Sequence, residues 1–244
     1  MDLEQIVAAV TKEVLARVQA PQAAKAGGAD IAHTIEHSIL NPDTTRETVV
    51  RSCGDAREYG FACVCVSPYY VPLAARELKG SRVRVCTVAG FPHGAASTAA
   101  KVAEAREAAE GGAREIDVAL NILAVKNGEV AEAIRDFAEV VRAVRGRLLV
   151  KAIYEQGLYT DEEKVRALHV AREAGADYVK ISNALTGKKA AAEDVRFVRG
   201  ILGPSMGIKI DGGISDAETV RALMAAGANR FGCSKSVQIV RGAE

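Results

Sequence analysis

Four segments of the chain share one pattern, in which a helical run ends at a glycine and an apolar strand begins two or three residues later. They are "EYGFACVCV" near residue 60, "EGGAREIDVAL" near 112, "EAGADYVKI" near 175 and "AAGANRFGC" near 227. Glycine ends helices because it adopts the left-handed backbone conformation at no steric cost. Further apolar runs at residues 32–40, 82–91, 148–155 and 207–213 are typical of strands, which gives eight predicted strands.

Helical patterns rich in alanine, glutamate and arginine separate these strands, for example at residues 98–112 and 129–146. Strict alternation of strands and helices is typical of parallel sheets with helical crossovers. Eight such units predict an α/β fold, a (β/α)8 TIM barrel over residues 31–244. A doubly wound open sheet is the alternative, although no G-x-G-x-x-G sequence follows the first strand to indicate dinucleotide binding.

Residues 1–18 carry apolar side chains at helical spacing and stand apart from the eight units. These side chains are Leu3, Ile6, Val7, Val10, Val14, Leu15 and Val18. Residues 19–30 are rich in alanine and glycine and are typical of a flexible linker. Two interpretations stay open: the extra amphipathic helix packs under the barrel, or it is a docking peptide that binds a partner through its apolar face.

The charges and cysteines narrow the classes of partner and compartment. The 32 lysines and arginines and the 31 acidic residues leave a net charge of +1, without a long run of one sign. This balance argues against a nucleic-acid groove or an anionic membrane surface and favours small-molecule partners. Without an apolar stretch of membrane-spanning length or a signal-peptide pattern, we expect a cytoplasmic protein. Five cysteines without C-x-x-C spacing indicate buried free thiols.

Polar side chains interrupt strands that should be apolar on both faces. In four consecutive predicted strands, apolar and polar side chains alternate. The apolar sets must face the outer helices, so the polar sets point into the barrel. The inward-facing polar residues are Asp117, Lys151, Lys180 and Lys209.

Clustered lysines next to a carboxylate indicate a specific chemistry. A lysine amine with its ordinary pKa of about 10.4 is almost entirely protonated at neutral pH and is a poor nucleophile. Burial and a neighbouring ammonium group are expected to lower that pKa to about 7–8. The neutral amine attacks a carbonyl and forms a Schiff base, which acts as an electron sink without a metal or a cofactor. The histidines His33 and His37 lack the spacing of a metal site on a strand.

The loops after the last two predicted strands are typical of phosphate binding. Barrel enzymes often hold a phosphate with these loops. Their candidate ligands are the backbone amides of Gly212, Gly213 and Gly232, the hydroxyl of Ser234 and the ammonium group of Lys235.

A set of motifs from about residue 31 to residue 240 resembles the deoxyribose-phosphate aldolases, which are class I aldolases with a (β/α)8 fold. The motifs are "EHSILNPDTT", "CVCVSPYYVPLA", "VCTVAGFPHG", "EIDVALNI", "VKAIYE", "VKIS" and "IKIDGGI". The resemblance implies reversible cleavage of 2-deoxyribose 5-phosphate to acetaldehyde and glyceraldehyde 3-phosphate, without a cofactor. It also implies a homo-oligomer, either a dimer or a tetramer.

The resemblance also implies roles for single residues. Lys180 is similar to the Schiff-base lysine, Lys209 to the neighbour that lowers its pKa, and Asp117 to the acid/base residue that shuttles protons with Lys209 and a water. Lys151 and Cys65 match family positions of supporting role, and Asn121, which shares the inward face of Asp117, is placed with them.

Some residues depart from the family pattern, most of them at the substrate end. Asn183 and Ala184 stand where the family has threonine and glycine, and Asp211 where it has serine or glycine; Asn183 is kept among the expected phosphate ligands. Glu36 replaces an aspartate of the first strand. A carboxylate at Asp211 is expected to repel phosphate, which Lys235 offsets.

Residues 1–18 resemble the encapsulation peptides of enzymes housed in bacterial microcompartments, which implies binding to shell proteins and a location inside such a compartment. Three alternative functions stay open. They are a related Schiff-base aldolase with another aldehyde or phosphosugar specificity, a phosphate-barrel sugar-phosphate isomerase or epimerase, and a non-catalytic shell-binding barrel.

Overall fold

The strands of the computed structural model close into a barrel in which each strand pairs in parallel with the next one along the chain and β8 pairs with β1. The structure describes residue 12 and residues 31–242. The strands are β1 Ile35–Ile39, β2 Cys63–Val66, β3 Arg84–Ala89, β4 Glu115–Ala119, β5 Leu149–Glu155, β6 Tyr178–Ser182, β7 Gly207–Asp211 and β8 Arg230–Cys233. The predicted (β/α)8 TIM barrel is confirmed. The predicted N-terminal helix and linker lie outside the described residues, apart from residue 12.

Helices connect the strands on the outside of the barrel. They are α1 Arg46–Tyr59, α2 Val71–Glu77, α3 Thr98–Glu110, α4 Ile122–Lys126, α5 Val130–Val144, α6 Asp161–Glu173, α7 Ala192–Leu202, α8 Ala217–Ala225 and α9 Ser236–Arg241. Polar side chains cap several of them: the Thr160 hydroxyl accepts a hydrogen bond from the Glu163 amide, and the Glu163 carboxylate accepts one from the Thr160 amide, which forms a capping box. No helix of residues 31–242 is long and apolar enough to cross a membrane.

Several predicted strands are shorter in the structure, for local reasons. Residues 32–34 form a short 3-10 helix ahead of β1. The strand predicted at residues 207–213 ends at Asp211, because Gly212 and Gly213 take positive φ angles of 108° and 68° and turn the chain. The short helix α4 was not predicted, since five residues are too few to show helical periodicity.

The apolar side chains fill two compartments. The outward-facing residues of the strands, such as Ile116, Val179 and Ile208, are buried against the helices in the main core. A smaller cluster of Cys63, Cys65, Cys86 and Val88 lies inside the barrel. The alternation read from the sequence therefore separates an apolar outer layer from an interior of thiols and charges.

A buried ion pair between two helices strengthens the outer layer. Lys101 of α3 donates to Asp136 of α5 with an Nζ–Oδ2 distance of 2.6 Å, and both side chains are almost fully buried. Thr98 donates a second hydrogen bond to the same carboxylate at 2.7 Å. Because these charges are satisfied by each other, α3 and α5 are fixed in one relative position.

Candidate active site

The register of the strands determines how far along the barrel axis each interior charged side chain lies. Asp117 of β4 is level with Lys151 of β5, and Lys180 of β6 is level with Lys209 of β7. Lys151, however, pairs with Tyr178, two residues before Lys180. Lys151 therefore lies one layer deeper in the barrel than the other two lysines.

Asp117 is the centre of the predicted cluster and contacts all three lysines. Its Oδ2 atom is 2.7 Å from Lys209 Nζ and 3.2 Å from Lys180 Nζ. Its Oδ1 atom is 3.1 Å from Lys151 Nζ and accepts a hydrogen bond from Cys86 at 3.4 Å. Burial raises the pKa of this carboxyl group, but the three ammonium groups lower it by more and hold it well below its ordinary value. Asp117 is therefore a fixed anion.

Two further buried carboxylates pair with Lys151 and Lys209, the two fully buried lysines of the set. Glu36 Oε2 is 2.5 Å from Lys209 Nζ, and Glu115 Oε2 is 2.7 Å from Lys151 Nζ. Burial lowers the pKa of both lysines, but the carboxylates, Asp117 foremost, raise it well above the ordinary value. Glu36 and Glu115 were not predicted as ion-pair partners, although Glu115 shares the inward face of Asp117 two residues away.

Among the described residues, one linked cluster of ion pairs inside the barrel contains equal numbers of opposite charges. Arg230 at the lower end of β8 lies 3.4 Å from Glu115 and 3.5 Å from Glu36. The four cations and four anions are Lys151, Lys180, Lys209, Arg230, Glu36, Glu115, Asp117 and Asp211. Since each of these eight charges faces an opposite one, the cluster avoids much of the cost of an unpaired charge in a poorly solvated interior.

Lys180 is the one member of the lysine set that lines a cleft, and its side chain is 3% exposed. Its Nζ atom is 2.9 Å from Asp211 and 5.9 Å from the centre of the Phe91 ring. Burial lowers the pKa of this amine, but Asp211 and Asp117 together raise it above its ordinary value, against the opposing effect of Lys209. The predicted lowered pKa is therefore wrong, because two carboxylates outweigh the second ammonium group.

The cleft above Lys180 has a volume of about 630 Å³ and lies at the carboxyl ends of the strands. All six residues predicted to bind phosphate line it: Asn183, Gly212, Gly213, Gly232, Ser234 and Lys235. The structure therefore places the lysine centre and the glycine loops in one space.

Two lysines that the sequence analysis missed line the same cleft. Lys188 and Lys189 follow β6, and the Lys188 ammonium is 3.2 Å from Asp194. The stem of Lys189 packs on the glycine loop, because a Cβ atom at Gly213 would lie 3.0 Å from Lys189 Cγ. The doublet "KK" in a loop after a strand was the available signal.

The side chain of Asn183 is used inside the protein. Its oxygen accepts from Gln156 at 3.1 Å, and its amide lies 3.5 Å from the Asp211 carbonyl oxygen. Asn183 therefore braces the loop that follows β7 as well as lining the cleft.

Cys65 and Asn121, which were predicted to support the active site, do not line the cleft. Cys65 is fully buried inside the barrel, and a hydrogen bond to Cys86 together with burial raises the pKa of its thiol well above the ordinary value. Asn121 caps α4, because its side-chain oxygen accepts from the Ala124 amide at 3.1 Å. The structure gives Asn121 a role in ending β4 and starting the next helix.

Sulfur and carboxylate groups inside the barrel come close enough to be compared with a metal site. Glu36, Cys63, Cys86 and Glu115 bring one ligand atom each within 4.8 Å of one another. The Lys151 ammonium, however, lies 2.7 Å from Glu115 and 3.4 Å from both Glu36 and Cys86. The Lys151 ammonium group therefore already lies among these atoms, where a metal ion would bind.

The chain is similar in sequence to known proteins. Residues 10–237 match the family described as DeoC/LacD family aldolase. Deoxyribose-phosphate aldolase of Caldanaerobacter subterraneus subsp. tengcongensis is 46% identical over 213 residues, which cover 86% of this chain and 92% of the relative. Deoxyribose-phosphate aldolase 1 of Oceanobacillus iheyensis is 44% identical over 213 residues, which cover 87% of this chain and 96% of the relative.

Solved structures share the barrel. A tetrameric deoxyribose phosphate aldolase from Aeropyrum pernix is similar with a TM-score of 0.80 and 28% identity, over 95% of each chain. A structure described as QR15, an aldolase, has a TM-score of 0.82 and 32% identity, over 87% of this chain and 95% of the other. The similarity thus extends over most of the chain in sequence and in fold.

Proposed function

The chain belongs to the DeoC/LacD family of aldolases, and from this membership we propose that it cleaves 2-deoxyribose 5-phosphate reversibly to acetaldehyde and glyceraldehyde 3-phosphate through a Schiff base. The observation that carries the proposal is the position of Lys180. Its amine reaches the floor of the cleft, whereas Lys151 and Lys209 are fully enclosed. A substrate carbonyl in the cleft meets Lys180 first.

The proposed reaction begins with attack of the Lys180 amine on the C1 carbonyl of the open-chain substrate. Loss of water gives an iminium ion. Removal of the C3 hydroxyl proton then breaks the bond between C2 and C3, and its electrons move into the iminium to give an enamine. Glyceraldehyde 3-phosphate leaves, the enamine is protonated at C2, and hydrolysis releases acetaldehyde and restores the amine.

The carboxylates around Lys180 support this sequence electrostatically. The iminium nitrogen keeps the positive charge of the ammonium group, so Asp117 at 3.2 Å and Asp211 at 2.9 Å remain paired with it. Groups that are already oriented towards a developing charge stabilise it without reorganisation. We assign Lys209 and Asp117, which are 2.7 Å apart, to the proton relay on the buried side of Lys180, in which Lys209 carries the proton, Asp117 is its anionic partner and Lys151 is their supporting cation.

The glycine loops form the proposed phosphate site. Gly212 and Gly213 follow the strand that carries Lys209 and provide backbone amides next to the cleft, while Lys235, Lys188 and Lys189 provide positive charge around it. Ser234, Gly232 and Asn183 complete the set. A phosphate dianion at this end and an aldehyde at Lys180 would lie in one continuous space, as the proposed substrate requires.

The assembly and location of the protein are further proposals. The tetrameric relative from Aeropyrum pernix supports a homo-oligomer. Residues 1–18 are proposed to dock on microcompartment shell proteins, joined by the linker of residues 19–30 to the catalytic barrel of residues 31–244. This proposal rests on the apolar spacing of the segment and its resemblance to encapsulation peptides.

A related Schiff-base aldolase with another aldehyde or phosphosugar specificity is the second candidate. The observation that favours it is Asp211, which departs from the family pattern and contacts the reactive lysine. The chemistry at Lys180 is the same in both cases, so only a comparison of substrates separates them.

Borohydride trapping tests the proposed chemistry. Reduction in the presence of acetaldehyde should add an ethyl group to Lys180, located by peptide mass spectrometry. The matched control is Lys180→Arg, which keeps a positive charge between Asp117 and Asp211 but cannot form the imine. An unmodified Lys180 in the folded wild-type protein would overturn the proposal, and cleavage of deoxyribose 5-phosphate without trapping would point to another mechanism.

A further inference from the structure

Asp211 is the last residue of β7, and its carboxylate is aimed at the reactive amine. Its strand neighbour is Gly232 of β8. A Cβ atom at Gly232 would lie only 2.8 Å from Asp211 Cβ, which is closer than real Cβ atoms approach. The Asp211 side chain fits beside β8 because Gly232 has no side chain.

Asp211 and Asp117 hold Lys180 from different sides, and their other contacts differ. Asp117 is fully buried and accepts from three ammonium groups and one thiol. Among the described residues, the one ion pair of the Asp211 carboxylate is with Lys180, and its side chain is 20% exposed towards the cleft. Asp211 thus faces one cation where Asp117 faces three.

The nucleophile needs a proton acceptor. Lys180 lies between two carboxylates and is an ammonium ion in the resting site, so a proton must leave its nitrogen before the attack. Asp117 is a poor acceptor for this proton because its other cations favour its anionic form. Asp211 is at hydrogen-bond distance from the same nitrogen, at 2.9 Å. It also lies on the side from which the carbonyl must arrive.

We propose that Asp211 is a further catalytic residue, which takes a proton from Lys180 and returns it to the oxygen that leaves as water. This inference rests on the proposed Schiff-base function. The Lys180 ammonium gives one proton to Asp211, and the neutral amine forms the bond to the carbonyl carbon. A second proton moves from nitrogen to the former carbonyl oxygen, which gives the neutral carbinolamine.

Protonated Asp211 then gives its proton to the carbinolamine hydroxyl. The carbon–oxygen bond breaks, water leaves, and the nitrogen lone pair forms the iminium double bond. The sum is one ammonium ion and one aldehyde converted to one iminium ion and one water, with Asp211 restored as a carboxylate. No oxidant, reductant or co-reactant is needed, and the charge between Asp117 and Asp211 is the same before and after.

The test measures the rate at which acetaldehyde and borohydride modify Lys180 in three variants. Asp211→Asn keeps the size of the side chain and removes the proton acceptor, and Asp211→Ala opens a space beside the amine. Glu193→Gln is the control, since it removes one negative charge from an exposed position on the first turn of α7, at the same end of the barrel. Thermal unfolding of each variant confirms that it is folded.

The maximal rate of trapping should fall about 100-fold in Asp211→Asn, the usual contribution of a general acid or base. Formate should restore part of the rate in Asp211→Ala, where it fits, and not in Asp211→Asn. Glu193→Gln should keep the wild-type rate. A proton-transfer role predicts this difference between the two variants, whereas a merely structural role does not.

The pH dependence gives a second readout. The charged and titratable groups that face the Lys180 amine are Asp117 on β4, Lys209 and Asp211 on β7, and Cys65 on β2. Because Asp211 raises the pKa of Lys180, its removal should move the acid limb of the pH–rate profile, where the rate rises with pH, to lower pH while the plateau falls.

The outcomes separate the two proposals. If wild-type Lys180 is trapped and Asp211→Asn is trapped as fast or faster on the plateau, the role of Asp211 is wrong and the Schiff-base function stands. If Asp211→Ala is slow and formate does not change its rate, the role of Asp211 as a proton carrier is also overturned. If wild-type Lys180 is not trapped, the proposed function itself fails.

Discussion

Removal of Lys209 should both lower the stability of the protein and raise the pKa of Lys180, the proposed nucleophile. Lys209 is fully buried and lies 2.5 Å from Glu36 and 2.7 Å from Asp117. In Lys209→Met the eight-charge cluster keeps four anions but only three cations, so one buried carboxylate no longer has a cation that balances its charge. Breaking a buried pair in this way costs about 3–5 kcal/mol of unfolding free energy. For a chain of this length that corresponds to a fall in melting temperature of roughly 6–20 °C.

The same change should alter the kinetics in a defined direction. Lys209 is the neighbouring charge that lowers the pKa of Lys180, while Asp211 and Asp117 raise it. Without Lys209 the amine is protonated over a wider pH range, so the acid limb of the pH–rate profile should move to higher pH. Scanning calorimetry and the rate of borohydride trapping between pH 5 and about pH 10 measure the two effects.

A compensated double variant separates charge balance from catalysis. Lys209→Met combined with Glu36→Gln removes one charge of each sign, so most of the lost melting temperature should return while the acid limb stays at higher pH. If Lys209→Met melts within about 2 °C of the wild type, or if its acid limb moves to lower pH, the reasoning about the interior charges is refuted.

Three further predictions concern the outer ion pair, the cleft lysines and acid stability. Lys101→Met should cost about 3–5 kcal/mol in urea unfolding, and the double variant with Asp136→Leu should recover most of it; equal losses in both would contradict the assigned pair. Lys189→Ala should raise KM for deoxyribose 5-phosphate about two- to fivefold and leave unphosphorylated deoxyribose unaffected, with a smaller effect for Lys188→Ala; a change with both sugars would count against phosphate contact. Folding lowers the pKa of Asp117, so this group stabilises the folded state above its unfolded pKa of about 3.8, and that stabilisation is lost as the pH falls below this value. Asp117→Asn should therefore make the melting temperature fall less steeply in acid. An unchanged slope of melting temperature against pH would count against this assignment.

The fold was predictable because its signals are local. A glycine such as Gly60, with a φ angle of 70°, ends the helix before β2, and strict alternation along β4 shows which side chains face outward. Strand ends were less predictable, since Gly212 stops β7 through its backbone φ angle of 108°, which residue composition alone does not give. The short helix α4 is started by the Asn121 cap, and hydrophobic periodicity does not reveal a cap.

The inward set of the site was also predictable, but its electrostatics were not. Alternation alone places Asp117, Lys180 and Lys209 inside the barrel. The direction of the pKa of Lys180 depends on distances between different strands, which the sequence does not contain. Asp211 illustrates the difference: it was expected to act on phosphate, whereas its carboxylate lies 2.9 Å from the Lys180 amine.

The position of Asp211 also joins the two ends of the cleft. It precedes Gly212 directly, so a phosphate dianion held by the glycine loop would lie near its carboxylate. A neighbouring negative charge favours the protonated form of a carboxyl group, and here the proton available at 2.9 Å is that of Lys180. Phosphate binding and release of the amine proton would then favour each other. The proposed proton transfer from Lys180 would therefore relieve part of the repulsion expected between phosphate and a carboxylate at this position.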